Sequence, residues 1–289
     1  MKNMKKILTI TALALLANVG SAQENEAKNV RFGLKVTPSV NWYKPDGKLI
    51  SGNGAGVKFG GGLILEFRLA KVASFQTGLQ IDSEGGKVKY NNGGETTPNS
   101  STMSYYYNIA DDEIQPYNSS NTSSSYILAN THYQLNERQY KATYITIPIM
   151  LKLKTKEIGT MTYFGQFGFN TSFRWKANVT DKVTVIVPSA GVNSNETKTK
   201  VDVTKDMAFF KASLAFGFGA EMNLSGTTSL VFGLNYNLGF MNSVKGESDY
   251  IEKKTNGASI ATSADDYTQS KLPQVIKSNA VVLTVGVLF

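Results

Sequence analysis

The sequence predicts an all-β protein, an eight-stranded antiparallel up-and-down transmembrane β-barrel, on three observations. Eight stretches alternate apolar and mixed residues with a period of two, as strands with two different faces do. Each has about ten or more residues, which matches the roughly 9–11 residues that a tilted membrane strand needs. The connections are alternately short and long, which is typical of outer-membrane barrels.

A secretory signal peptide is predicted over residues 1–22, ahead of a barrel domain over residues 23–289. Lys2, Lys5 and Lys6 precede a short apolar run, and small residues precede a cleavage site expected after Ala22. The apolar run is too short to cross a bilayer as a helix. The mature chain is therefore expected to be exported and to reside in the outer membrane.

The first four predicted strands cover residues 30–42, 57–69, 73–81 and 140–154. The fourth shows the alternation clearly. Ile145, Ile147 and Ile149 lie on the apolar face, and Thr146 and Pro148, which alternate with them, lie on the mixed face. Such alternation places one set of side chains on each face of a sheet.

The last four predicted strands cover residues 161–175, 207–224, 229–241 and 279–289. In the first of these, Phe167 and Phe169 oppose Gly168 and Asn170. The final strand ends on Phe289 and is expected to close the ring against the first one.

The two kinds of connection predict two different ends of the barrel. Short turn-like links occupy residues 70–73, 155–160 and 225–227. Long connections rich in Asn, Ser, Thr, Tyr and Gly occupy residues 43–56, 87–139, 176–206 and 242–278. Outer-membrane barrels have short periplasmic turns and longer extracellular loops, so the long connections are expected to be polar loops at the cell surface.

The residues on the two faces favour a membrane barrel over a soluble one. The apolar face carries large uncharged side chains, which suit lipid, whereas the mixed face is rich in glycine. The interior of an eight-stranded barrel is only just wide enough for side chains, so small inward residues relieve crowding. Aromatic residues near strand ends are expected to form the interfacial girdles of such barrels: Trp42, Tyr43, Phe67, Tyr163, Phe173, Trp175 and Phe240.

Charged residues on the mixed face are expected to point into the barrel. They are Arg31, Lys35, Glu66, Arg68, Lys152, Arg174, Lys211 and Glu221. An unpaired buried charge is costly, so Glu66 and Glu221 are expected to pair with the surrounding cations as an internal network. A polar plug is favoured over a transport pathway.

No catalytic residue, metal site or cofactor is predicted. The chain has one histidine, His132. A catalytic triad of this histidine with a nearby serine and an acid among residues 111–113 is not favoured, because serine is so frequent in this loop that such a combination arises by chance. The same acidic run could bind a hard cation, but a solvated loop is the favoured interpretation. Although the formal net charge is +8, the basic residues are scattered and the chain is exported, so no nucleic-acid partner is expected.

The segment "YITIPIMLKL", together with the signal peptide and the closing Phe289, resembles the PorT-like outer-membrane β-barrel family common in Bacteroidota. Tyr144, Ile145, Ile147, Pro148, Leu151 and Lys152 match the family pattern. Members often carry Glu before Ile-Pro, where this chain has Thr146. The resemblance implies an outer-membrane barrel whose C-terminal aromatic strand, ending here at Phe289, is recognised by the barrel-insertion machinery.

The predicted function is non-enzymatic: a barrel with a side-chain-filled interior that displays surface loops for envelope structure or partner interaction. Its expected partners are outer-membrane lipid, the insertion machinery and envelope proteins that contact the loops. Three alternatives stay open: a narrow porin-like channel for small solutes, a component of an envelope secretion system, and a soluble periplasmic ligand binder.

Overall fold

A computed structural model describes residues 30–92, 101–108, 113–117, 129–187, 192–256 and 267–289. These residues form 18 strands and a short 3-10 turn at Thr204–Asp206. The strands are β1 Val30–Val36, β2 Ser39–Asp46, β3 Ile50–Gly52, β4 Ala55–Lys58, β5 Gly60–Ala70, β6 Ala73–Glu84, β7 Lys87–Tyr90, β8 Ser101–Tyr105, β9 Tyr107–Asn108, β10 Glu113–Ile114, β11 His132–Lys154, β12 Met161–Val187, β13 Val192–Asp202, β14 Phe210–Ser225, β15 Thr228–Gly239, β16 Glu247–Asn256, β17 Tyr267–Pro273 and β18 Val275–Leu288. The predicted all-β class is confirmed.

Eight of these strands pair in a closed cycle, which we call the ring. The order of strands around the cycle is β1, β5, β6, β11, β12, β14, β15 and β18, and each strand is antiparallel to the next. Strand β18 then pairs with β1, where Gly33 lies opposite Leu288. A cycle leaves none of these strands with a free edge, which is what a structure inside lipid requires.

The two faces of the ring differ as the period-two pattern requires. Outward-facing Phe218, Phe169 and Leu283 are 65%, 48% and 47% exposed. Inward-facing Ile64 and Phe164 are 2% and 6% exposed, and they pack with Val231 and Leu288. An exposed apolar surface of this extent marks a surface that contacts lipid or protein rather than water.

Glycine on the inward face allows this packing in a narrow ring. A β-carbon at Gly219 would lie 2.5 Å from the Phe164 ring, and one at Gly217 would overlap the Asn235 side-chain oxygen. Larger residues at these two positions would have no room.

The strand count differs from the eight expected, because the long connections are not simple polar loops. Strands β2 and β4 continue the β1–β5 pairing in the same register, so that Val36 faces Gly61 and Ser39 faces Lys58. The β11–β12 ladder runs from Lys154↔Phe164 to His132↔Ile186, about twice the length that a membrane needs. We call the described parts of residues 43–56, 87–142, 176–208 and 242–278 the extension.

The extension has a hydrophobic core of its own, larger than that of the ring. Its buried members come from both halves of the chain and include Val88, Met103, Leu135, Ile251 and Leu272. The sequence interpretation of these segments as polar loops is therefore wrong for the residues that the structure describes. Polar residues on their outer face conceal an alternating buried face, as at Val179, Asp181, Val183 and Val185, all of which are buried.

The predicted signal peptide, residues 1–22, lies outside the described residues. Among the described residues, none forms a helix long and apolar enough to cross a membrane.

Candidate functional site

Five charged side chains meet inside the ring near the end that carries the short turns. Arg31 and Glu66 lie directly opposite each other on β1 and β5, while Lys152 and Lys154 come from β11 and Glu221 from β14. All five occupy inward positions because each strand alternates. We call this group the pentad.

The pentad is held together by ion pairs that cross the lumen. The Arg31 guanidinium lies 2.7 Å from Glu66 Oε1 and 2.7 Å from Glu221 Oε2. Lys152 Nζ lies 3.1 Å from Glu66 Oε2 and also contacts Glu221. Lys154 contacts Glu66 and lies 3.0 Å from Glu221 Oε1. Each carboxylate thus faces three cations.

Neutral polar side chains fill the lumen above the pentad. Gln166 donates to Asn235 at 2.5 Å, and Asn235 donates to Thr284 at 3.1 Å. Further along the axis, the Thr146 and Ser172 hydroxyls are 3.0 Å apart. Two cavities between these side chains measure about 50 Å³ and 40 Å³, enough for only a few water molecules each.

A second charged layer lies at the other end of the lumen. Lys211 pairs with Glu84 and lies 4.3 Å from the centre of the Tyr144 ring, and Ser278 donates to Glu84 at 3.0 Å. The lumen is therefore closed by charge at both ends and by hydrogen-bonded amides and hydroxyls between them.

The other predicted interior charges lie apart from these layers. Lys35 lines the larger lumen cavity, and Arg68 lies exposed at the mouth below the pentad. No described residue forms an ion pair with either of them. The Arg174 guanidinium donates to the Met207 carbonyl at the edge of the extension.

Sequence reasoning missed two members of these layers, Lys154 and Glu84. Each lies two residues beyond an inward position, since Lys154 follows Lys152 and Glu84 continues the series of Gln80 and Asp82. Lys154 is the last residue of the predicted fourth strand, and Glu84 lies beyond the predicted end of the third strand at residue 81. Continuing the period-two count to residues 84 and 154 would have found both.

The mouth below the pentad is a basin of about 480 Å³. Its lining includes Arg68, Lys71, Lys156 and Glu157 in addition to the pentad members Arg31, Lys154, Glu66 and Glu221. Positive charge therefore exceeds negative charge on its walls.

Most of the predicted interfacial aromatic residues lie on the outer surface. Phe67, Tyr163, Trp175 and Phe240 are exposed, and Trp42 and Phe173 are partly exposed. Tyr43 is a correction: it is 3% exposed and packs edge-on against Tyr140 at 5.3 Å inside the extension. Because Trp42 points outward towards Tyr236, strand alternation turns its neighbour inward.

Phe289 lies on the outer surface beside the first strand. Its N–H donates to the Phe32 carbonyl at 2.7 Å, and the Phe32 N–H donates back at 3.4 Å. The residue therefore completes the seam that closes the ring.

A buried ion pair organises the core of the extension, and sequence reasoning did not find it. Arg138 and Asp181 lie opposite each other on β11 and β12, with Nε–Oδ1 and Nη2–Oδ2 distances of 2.7 Å each. Both side chains are completely buried, and the Arg138 guanidinium lies 6.0 Å and 5.8 Å from the centres of the Tyr105 and Tyr140 rings. An arginine and an aspartate in apparent loops carried no signal for this pair.

His132 lies in the extension rather than at an open catalytic centre. Burial, helped by nearby Lys254, lowers the pKa of His132 to about 3, so its imidazole is neutral at pH 7. Of the acidic run at residues 111–113, residues 111 and 112 lie outside the described residues, and Glu113 is exposed. Within the described part of the chain, no group of three or more His, Cys, Asp or Glu side chains is placed to hold a metal ion.

The family model described as "Outer membrane protein beta-barrel domain" matches residues 21–245. No curated protein sequence matches the chain. Three solved structures to which this chain is distantly similar are the following. Neisserial surface protein A is 10% identical, with 91% of this chain and 98% of that chain covered and a TM-score of 0.36. The outer membrane protein OprG from Pseudomonas aeruginosa is 9% identical, with 91% and 97% covered and a TM-score of 0.39. A major outer membrane protein from Thermus thermophilus is 14% identical, with 91% and 99% covered and a TM-score of 0.37.

Proposed function

Because this chain belongs to the outer membrane protein beta-barrel domain family, we propose that it is a non-enzymatic, plugged barrel that holds a folded β-sheet platform at the cell surface. The ring is the membrane-spanning part, an eight-stranded barrel. Its short turns face the periplasm and the extension faces outward, as the general architecture of these barrels requires.

The closed lumen is the observation that carries the plugged assignment. The pentad joins four strands across the periplasmic end, and the cavities above it measure only about 50 Å³ and 40 Å³. A solute would have to break several buried ion pairs to pass, and separating buried charges is costly.

The core of the extension supports the platform. Strand β8 pairs with β11, β16 pairs with β8, and β17 pairs with β16. Residues distant in the chain therefore form one sheet above the ring. A surface with its own buried core presents side chains in fixed positions, and preorganisation of this kind lowers the cost of binding a partner. We propose that an envelope protein or a surface ligand docks there.

Planar-bilayer recording tests the plug. We expect the purified wild-type protein to insert without stable conductance steps. The variant Lys152→Ala/Phe164→Ala removes two inward side chains that lie 4.1 Å apart, from Nζ to the ring centre, and should give detectable steps if it folds. Large, stable wild-type steps would contradict the plug and favour the narrow-channel alternative.

The PorT-like resemblance favours one alternative, that the protein is a component of an envelope secretion assembly. The residues that carry the resemblance lie on β11: Tyr144, Ile145, Ile147, Pro148, Leu151 and Lys152. Crosslinking and co-purification of the tagged protein test membership of a secretion assembly. We also propose that residues 1–22 are removed after Ala22, which the intact mass of the purified chain would show.

Phe289 is proposed as the assembly signal read by the insertion machinery. Deleting it removes the residue that pairs with Phe32 at the seam, so we expect the amount of heat-modifiable barrel in the outer membrane to fall several-fold. Synthesis and export should stay unchanged. The matched control, Phe240→Ala, removes an exposed aromatic away from the seam and should assemble normally. Equal assembly of the deletion and the control would contradict this role.

A further inference from the structure

A cavity of about 500 Å³ opens where the outer face of the ring meets the extension, and we call it the rim cavity. Its walls come from Arg174 on β12, residues 116–117 after β10, the segment 205–209 before β14, and the segment 245–250 that enters β16. Backbone bonds hold these segments together: Arg174 N–H donates to the Phe209 carbonyl at 2.8 Å, and Lys245 N–H donates to the Asp206 carbonyl at 2.9 Å.

The rim cavity carries a surplus of positive charge. Arg174, Lys205 and Lys245 line it, and Asp249 is its one carboxylate. Asp249 already accepts from Lys245 and from Lys271, the latter at 3.3 Å. No described residue forms an ion pair with Lys205, which is exposed.

Arg174 has hydrogen-bonding capacity to spare at this place. One terminal nitrogen donates to the Met207 carbonyl, while the buried Nε finds no partner among the described residues. Arginine and lysine together, held on ordered backbone, form the usual recognition set for phosphate oxygens.

Phe209 lines the rim cavity and forms its floor on the side of the apolar band. Phe209 is 63% exposed, and its ring packs 6.0 Å from Phe173 at the upper edge of that band. Trp175, outside the cavity lining, is also 63% exposed. Exposed aromatic residues at this level contact the boundary between lipid headgroups and acyl chains. A ligand there meets cations above and an apolar surface below.

We propose that the rim cavity binds the phosphorylated headgroup of an outer-leaflet lipid, with Arg174, Lys205 and Lys245 around the phosphate and Phe209 against the first part of an acyl chain. A free anion would use the cations but would gain nothing from the exposed aromatic floor, which is why the lipid is favoured. The inference rests on the membrane orientation given under the proposed function.

The test compares lipid binding by full-length mature barrel in nanodiscs of phosphatidylcholine. Diphosphoryl lipid A is the probe, dephosphorylated lipid A and inorganic phosphate are the competitors, and native mass spectrometry counts retained lipid. We expect Lys205→Ala/Lys245→Ala to weaken binding by about 30-fold, since each lysine near the membrane surface contributes about fivefold. The control Lys44→Ala/Lys141→Ala removes the same charge from exposed lysines outside the cavity and should bind like wild type.

Further outcomes distinguish a lipid phosphate from free phosphate, and failure of the lipid site from failure of the proposed function. Phe209→Ser should weaken lipid A binding and leave the response to inorganic phosphate unchanged. The inference is overturned if the lysine variant binds like its control, or if inorganic phosphate displaces lipid A at equal concentration. If lipid binding fails while the protein still shows a heat-modifiable, non-conducting barrel, the lipid site alone is wrong and the proposed function stands.

Discussion

Replacing Arg138 by methionine is expected to unfold the extension while the ring stays folded. Asp181 would lose both of its 2.7 Å hydrogen bonds at a position with no exposure to solvent. Removing one partner of a buried pair typically costs about 3–5 kcal/mol, because the other charge is left uncompensated. Hydrogen exchange should therefore show at least about a 100-fold loss of protection in the outer halves of β11 and β12.

The neighbouring pair on the same ladder is a matched control. Glu137 and Lys182 lie one step along the register at 3.0 Å, but the Lys182 side chain is 61% exposed. Exposed pairs contribute only about 0–1 kcal/mol, so Lys182→Ala should leave protection nearly unchanged. The double variant Arg138→Met/Asp181→Leu should recover most of the loss, since apolar replacement of a whole buried pair is often neutral. Wild-type protection in Arg138→Met would contradict the proposed role of the pair.

Replacing both pentad carboxylates, Glu66→Gln with Glu221→Gln, is expected to destabilise the ring by more than about 3–5 kcal/mol. Arg31, Lys152 and Lys154 would then face one another across a narrow lumen with only neutral amides between them. Each single variant should cost far less than half of the double, because the remaining carboxylate still contacts all three cations. Urea unfolding in lipid vesicles, followed by the boiled-against-unboiled gel shift, measures the effect.

A compensating variant separates charge from packing in the pentad. Adding Lys154→Met to Glu66→Gln removes one charge of each sign and should restore part of the stability lost in the single variant. Glu157→Gln changes an exposed carboxylate in the same basin and should have almost no effect. If the double carboxylate variant unfolds at the wild-type urea concentration, the pentad does not stabilise the ring.

The ring could largely be read from the sequence, because the direction of a strand side chain depends on local geometry. Phe169 and Ile64 point to opposite sides of the sheet because each follows the alternation of its own strand. Predicted strands such as 161–175 therefore fell within the observed strands, although β12 continues to Val187. The prediction that Tyr43 belongs to the outer girdle is wrong, because Tyr43 directly follows the outward-facing Trp42 and alternation turns it inward.

The partners within the site were less accessible to sequence reasoning. The charges at Arg31, Glu66, Lys152 and Glu221 were recognisable as inward, yet which of them touch depends on the register between strands 35 to 190 residues apart. Register is a property of the whole sheet, since a shift of one residue on any strand would turn its inward set outward.

By itself, the sequence determined the all-β class, the inward and outward faces of the ring and the two unlike ends, because these follow from a backbone that repeats every two residues and from turn length. Only the tertiary structure decided that Lys154 joins Arg31, Lys152 and the two carboxylates, that Arg138 and Asp181 meet in the extension, and that the rim cavity combines Arg174, Lys205 and Lys245. These contacts join residues far apart in the chain. Their energies depend on burial and distance, and both are set only when the strands have closed around a common axis.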